Sequence, residues 1–177
     1  MLLPMAGHAQ SIHFDGVDGS PAWAPRFEQS IRDSLKRRGA DLWAAESLAY
    51  LKERNEWPGT ERTVAQISWL SKRTKRTTIA WARSTSPQGR FERPWWSILW
   101  TRRVWSVSAD IFVADATGKT TSSSISVERK IWIGFTGTNR ADLWPITDPE
   151  RAKAEALLLA ELTSKAMGAL AAPAAPQ

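Results

Sequence analysis

Between residues 104 and 133 apolar and polar side chains alternate along the chain. Val104, Val107, Ala109, Ile111 and Val113 form the first apolar series. Ile125, Val127, Ile131 and Ile133 form the second, with Ser124, Ser126, Glu128 and Lys130 on the opposite face. A period of two places one set of side chains in a core and the other in water, as a half-buried strand requires. The break between the series reads Asp115-Ala116-Thr117-Gly118-Lys119, and its glycine supplies the positive φ that a tight connection needs. The pattern predicts a long antiparallel hairpin.

Helical periodicity flanks it. Phe27, Ile31 and Leu35 recur every fourth residue, with Glu28, Arg32, Asp33, Lys36 and Arg37 over the remaining surface. This predicts an amphipathic helix from about Pro25 to Arg38, stopped by Gly39. At the other end Thr147-Asp148-Pro149-Glu150 has the spacing of a capping box with proline in the first turn. It starts a helix that runs to Gly168 with Ala152, Ala156, Leu159, Leu162 and Ala166 along one side.

The remaining elements are weaker. Ser11–Phe14 reads as a short first strand, and the Asp/Gly-rich run from Asp15 to Pro21 as a loop. Residues 40–45 fit either a short strand or the start of a second helix. Ser47 is placed to cap a helix through Leu48, Leu51 and Arg54 that Pro58-Gly59 ends. Residues 62–84 read as two strands around the basic turn Ser71–Arg76, with Val64, Ile67, Trp69, Ile79 and Trp81 as apolar positions. Ser86-Pro87-Gln88-Gly89 reads as a turn, and residues 92–100 join the hairpin as one broken strand or two. The fold class expected is α+β, an antiparallel or mixed sheet packed by an N-terminal and a C-terminal helix.

Length and composition set the organisation. At 177 residues the chain suits one domain. Residues 1–9 resemble the end of a secretory signal peptide, with Gly7 and Ala9 at the −3 and −1 positions of a cut before Gln10. The competing reading is a disordered amino terminus. Residues 10–170 form the expected domain, and the Ala/Pro-rich residues 171–177 a flexible tail. No stretch has the roughly 18–20 apolar residues that a membrane helix needs. The domain is therefore expected in the periplasm, with the cytoplasm as the alternative.

Several chemistries are removed by composition. The chain has no cysteine, so it has no disulfide, thiolate metal site or thiol nucleophile, and only two histidines, His8 and His13. There is no glycine-rich phosphate loop, G-x-S-x-G elbow, H-E-x-x-H or calcium loop. A glycosidase needs a pair of carboxylates, for which Asp110, Asp115, Glu128 and Asp142 are the candidates, but nothing in the sequence converges on them. Neither an enzyme nor a cofactor or metal is expected.

Charge and tryptophan point instead to binding. Of the net charge of +6, the window Arg62–Arg103 holds +9, with ten Lys/Arg and only Glu92 against them. Such a stretch attracts nucleic acid, acidic lipid headgroups or an acidic protein, although lysine and arginine also protect exposed strands. Its densest part, Lys72, Arg73, Lys75 and Arg76, is the candidate site for an anionic partner. The chain has eleven tryptophans and one tyrosine. Most such side chains fill cores, but Trp69, Trp81, Trp95 and Trp96 are the candidate aromatic surface. Trp69 and Trp81 flank the basic residues as a single-strand nucleic-acid face would require. A helix-turn-helix over residues 63–83 fits poorly, because Lys75 and Thr78 fall where apolar residues should lock the second helix.

The order of elements resembles a group of bacterial envelope proteins: the curli-secretion pore subunit family, the outer-membrane activators of penicillin-binding proteins, and the amino-terminal domain of the Tol translocation beta protein. The resemblance lies in a first strand and helix ending near Gly39, a hairpin in which Ala109–Asp115 leads into Ala116-Thr117-Gly118-Lys119, and the alanine-rich helix Ala152–Leu170. The chain departs from the lipoprotein members in having no cysteine for lipid attachment. What the resemblance implies is a periplasmic, non-catalytic accessory or adaptor domain that binds an envelope protein or peptidoglycan, with no catalytic residues to carry over. Its rivals are a single-stranded nucleic-acid-binding protein using residues 62–103 and a peptidoglycan or polysaccharide module using exposed tryptophans.

Overall fold

The hairpin is the longest element of the sheet. In the computed structural model, which describes residues 12–40, 42, 49–50, 53–54, 62–93, 100–135 and 146–171, β4 (Trp100–Asp115) pairs with β5 (Thr120–Phe135) over almost its whole length. Asp115 closes the turn: its carboxylate accepts from the N–H groups of Thr117 at 2.8 Å and Lys119 at 3.1 Å and from the Thr117 hydroxyl.

The other edge of β4 carries two strands end to end. β2 (Thr78–Ser84) lies antiparallel to Ala109–Asp115, and β3 (Gln88–Glu92) lies antiparallel to Arg102–Ser106. The chain does not reverse between them, so the turn expected at Ser86–Gly89 is corrected. One extra residue is absorbed as a bulge. There the Thr85 N–H donates to the Ser108 carbonyl at 2.9 Å, and Pro87, which has no N–H to offer a ladder, sits in the gap. β1 (Ile12–Gly19) runs parallel to β2, giving the mixed sheet.

β1 overturns the loop expected at Asp15–Gly19. Asp and Gly disfavour strands on their own, but this segment is held from both sides. A bulge between Phe14 and Val17 admits Gly16 at φ 133°, and Glu28 accepts from the Val17 N–H at 3.3 Å.

One face of the sheet carries the main core. α1 (Ala24–Arg37) buries Phe27, Ile31 and Leu35 as its periodicity predicts, and the chain leaves it through Gly39 at φ 84°. α3 (Asp148–Ala171) buries Ala154, Leu158, Leu162, Ala166 and Leu170. The predicted stripe holds at Leu162 and Ala166 but not in the first half of the helix, where Ala152 and Ala156 are exposed and Leu159 is half-buried. Three consecutive leucines, 157–159, leave that phase undetermined by sequence. Both helices pack on Phe14, Ala80, Ala82, Trp105, Val107 and Ile111. Val104 points to the other face from Val107, although both lie in the first apolar series.

α2 (Val64–Thr74) lies on the opposite face, with Ile67 and Leu70 against Ile79, Trp81 and Ala114. A helix here corrects the first of the two strands expected over residues 62–84, while the second is present as β2. Thr63 accepts from the Gln66 N–H at 3.3 Å while the Gln66 side chain accepts from the Thr63 N–H at 2.8 Å, a complete capping box. Residues 49–50 and 53–54 are helical. The rest of residues 43–59, the ends 1–11 and 172–177, and the stretch 94–99 lie outside the described residues.

Candidate functional site

Beside α2 the sheet buries charge. His13 and Asp15 project from β1 on this face, and Arg62, just before the Thr63 cap, reaches both acids of that strand. Its guanidinium donates to Asp15 at 2.7 Å and to Asp18 at 2.7 Å. It also lies 5.4 Å from the centre of the Trp81 ring. The Asp15 side chain is fully buried and that of Arg62 is 7 % exposed. Burial opposes the charge of Arg62, but the two aspartates outweigh it and hold its pKa above the ordinary value. His13 Nε2 stands 4.0 Å from Asp15 Oδ1. The network joins the first strand to the start of α2. Nothing in the local sequence signals it, because the partners are more than forty residues apart.

The +9 window does not form one surface. Arg62 is spent on Asp15 and Asp18. Arg102 forms two hydrogen bonds to Glu92, which hold that carboxyl below its usual range and raise the Arg102 pKa. Arg103 pairs with Glu150 at 2.8 Å, and Arg90 with Glu128 at 3.0 Å. Glu150 is the residue expected to complete the α3 capping box. It takes the Thr147 side chain as cap at its own N–H, but its carboxylate accepts from Arg103 and from the Trp105 indole.

What stays open is the end of α2. Lys72, Arg73 and Lys75 are exposed, and among the described residues no carboxylate pairs with them. Arg76 is half-buried: its N–H donates to the Ser71 carbonyl at 3.2 Å and its own carbonyl accepts from the Ser71 hydroxyl at 2.5 Å. Lys75 caps the helix in the left-handed conformation at φ 55°.

The tryptophans separate. Trp81 is 8 % exposed, stacked on Phe112 at 5.3 Å, so it offers no open face. Trp69 is half-buried against the same cluster. Trp95 and Trp96 lie outside the described residues. Trp132, which the sequence placed only in the hairpin, is 50 % exposed, with the Arg102 guanidinium 5.8 Å from its ring centre. Its exposure was legible: it shares the parity of Ser124, Ser126, Glu128 and Lys130. Its neighbours on that face are Arg102 and Lys130, and further along the strands the face carries Ser106, Ser108, Ser124 and Ser126. Among the described residues no group of His, Asp and Glu is placed to hold a metal, and no helix is long and apolar enough to cross a membrane.

Neither a protein-family model nor a curated protein matches this sequence. Solved structures share its fold. Lipoprotein GNA1162 from Neisseria meningitidis is similar at 14 % identity, covering 90 % of this chain and 96 % of that one with a TM-score of 0.50. The hypothetical protein CT253 from Chlamydia trachomatis is similar at 11 % identity over 90 % and 94 %, with a TM-score of 0.51. The LpoB C-terminal domain from Salmonella enterica aligns at 12 % identity over 68 % and 84 %, with a TM-score of 0.48. The resemblance to bacterial envelope proteins therefore stands at the level of fold, with a bacterial lipoprotein among the matches. The curli-secretion and Tol members of that resemblance are not shown.

Proposed function

We propose that this chain is a non-catalytic accessory protein of the bacterial envelope that works by binding other envelope components from the periplasm. The observation that carries this reading is the likeness of fold to lipoprotein GNA1162, which runs through nearly the whole of both chains. The apparent signal-peptide remnant at residues 1–9 supports it independently. The 177 residues contain no cysteine, so they offer no thiol for lipid attachment.

The surfaces that would serve binding are the cationic end of α2 and the polar β4–β5 face with Trp132. The test places a photoreactive side chain at Lys72 or at Trp132, irradiates living cells and identifies the adducts by mass spectrometry. Adducts to envelope proteins or peptidoglycan at either position are expected. Adducts only to cytoplasmic proteins or nucleic acid would overturn the reading.

A second reading has its own observation. A half-exposed tryptophan with the Arg102 and Lys130 donors beside it suits stacking against a sugar ring. It predicts sedimentation with cell-wall material that survives moderate salt and is lost in Trp132→Ala. A protein that stays in the supernatant would remove it.

A further inference from the structure

The topology collects cations from three elements at one end of the molecule. β1 and β2 begin there and β4 ends there, because Ile12 pairs with Thr78 and Thr78 with Asp115. The β4–β5 turn closes that end and carries Lys119. α2 finishes three residues before β2 starts, which brings Lys72, Arg73 and Lys75 to the same end. α1 arrives from the opposite side of the sheet. It runs back along β1: the Trp23 indole donates to Ser84 at the far end, Glu28 meets Val17, and Arg32 lies over Phe14. Its last turn, with Lys36 and Arg37, and Arg38 just beyond, therefore finishes beside Ile12. All seven side chains are exposed.

Few acids answer them among the described residues. Asp115 is engaged by its own turn. Asp33 accepts from the Gln29 amide one turn earlier on α1. Cations in the last turns of α1 and α2 offset the negative helix ends, and Arg37 also donates to the Asp33 carbonyl and the Ser34 hydroxyl. Those local roles do not account for Lys119 on the hairpin turn, or for the convergence of two helices from opposite faces of the sheet.

We infer that this cationic pole docks on an anionic bilayer surface, with phosphate headgroups as the ligand. The choice of lipid over nucleic acid rests on the envelope reading above, and two observations agree with it. The cations are spread over both sides of the sheet end instead of tracking one backbone. Among the described residues no fully open tryptophan stands beside them for bases to stack on: Trp81 is buried and Trp69 is half-buried against the α2 cluster. Long lysine and arginine stems can reach headgroups while the domain stays in water. Each basic side chain near an anionic bilayer is worth about fivefold in partitioning.

The test is co-sedimentation of the full chain with vesicles of phosphatidylcholine, alone or mixed with phosphatidylglycerol. Binding that needs phosphatidylglycerol and disappears at about 1 M salt, where the screening length is ~3 Å, is expected. Lys72→Gln/Arg73→Gln/Lys75→Gln and Lys36→Gln/Arg37→Gln/Arg38→Gln should each weaken it about a hundredfold. Arg83→Gln/Arg151→Gln/Lys153→Gln removes three exposed cations away from the pole and should leave most of it. Thermal melts check that every variant is folded. Equal losses in all three variants, or no binding of the unaltered chain at low salt, would overturn the inference. So would tighter binding to a single-stranded oligonucleotide through the same residues. A chain found in the periplasm that ignores vesicles would remove the docking and leave the envelope reading standing.

Discussion

The two faces of the sheet are built on different principles. One is covered by α1 and α3 over a continuous apolar core from Phe14 and Phe27 to Ile111 and Leu162. The other is covered at one end by the short α2, with a five-residue apolar cluster beside the Arg62 network. Elsewhere its β4–β5 portion presents serines and Trp132. The first face holds by removing apolar area from water, a non-directional effect that many sequences satisfy. The second depends on particular partners across long sequence separations. Every candidate binding group among the described residues, apart from the α1 end and Lys119, belongs to the second face.

Truncating the apolar face should cost most. Phe27→Ala is expected to lose about 4 kcal/mol by transfer and cavity formation, read as a lower denaturation midpoint with an unchanged slope. A loss under about 1 kcal/mol would mean that α1 is not part of the main core. Arg62→Met attacks the other face. It leaves Asp15 buried without its cation and should cost about 3 kcal/mol. Adding Asp15→Leu should return much of that loss, since the penalty comes from the stranded charge. Equal stability of the single and double variants would show that the ion pair does not hold β1 to α2.

The turn that links the faces is next. Gly118 has φ 91°, and a Cβ there would stand 2.5 Å from Val64 Cγ1 at the start of α2. Gly118→Ala should cost about 2 kcal/mol. Val64→Ala in the same chain should relieve the contact and leave the backbone penalty. The smallest effect is at Asp115, where the Thr117 hydroxyl and then the turn's N–H groups hold the carboxyl below the usual aspartate range. A depressed folded pKa means stability that is present above the unfolded value and lost as pH falls through the folded one. Asp115→Asn should therefore lower stability modestly at neutral pH, where the charge contributes, change little below the folded pKa, and so flatten the acid limb of the stability profile. An unchanged acid limb would show that the turn does not need the charge.

The same contrast explains what could be read from sequence. The hairpin and α1 were legible because their periods, two and about 3.6, persist over enough residues to exclude alternatives. α2 was misread because Val64, Ile67 and Trp69 tolerate a strand pattern, although Thr63 and Gln66 already spelled a capping box. β1 was cut short because Asp15, Gly16, Asp18 and Gly19 favour loops locally, and the arginine that holds the two aspartates lies 44 or more residues away. The candidate site followed the same rule. A run of charge in sequence is not a surface: Arg62, Arg90, Arg102 and Arg103 find carboxylates, while α1 contributes cations that the window never contained. Trp81 flanked the basic run in sequence and faces the core in space.

The most direct test of the account is the mature amino terminus of the native protein, read by mass spectrometry from separated periplasmic and cytoplasmic fractions. A chain that begins at Gln10 and is found in the periplasm is the predicted result. It would place the cationic pole and the Trp132 face among envelope components. A chain that retains Met1 and stays in the cytoplasm would contradict the account and return the cations of α2 to a nucleic-acid role.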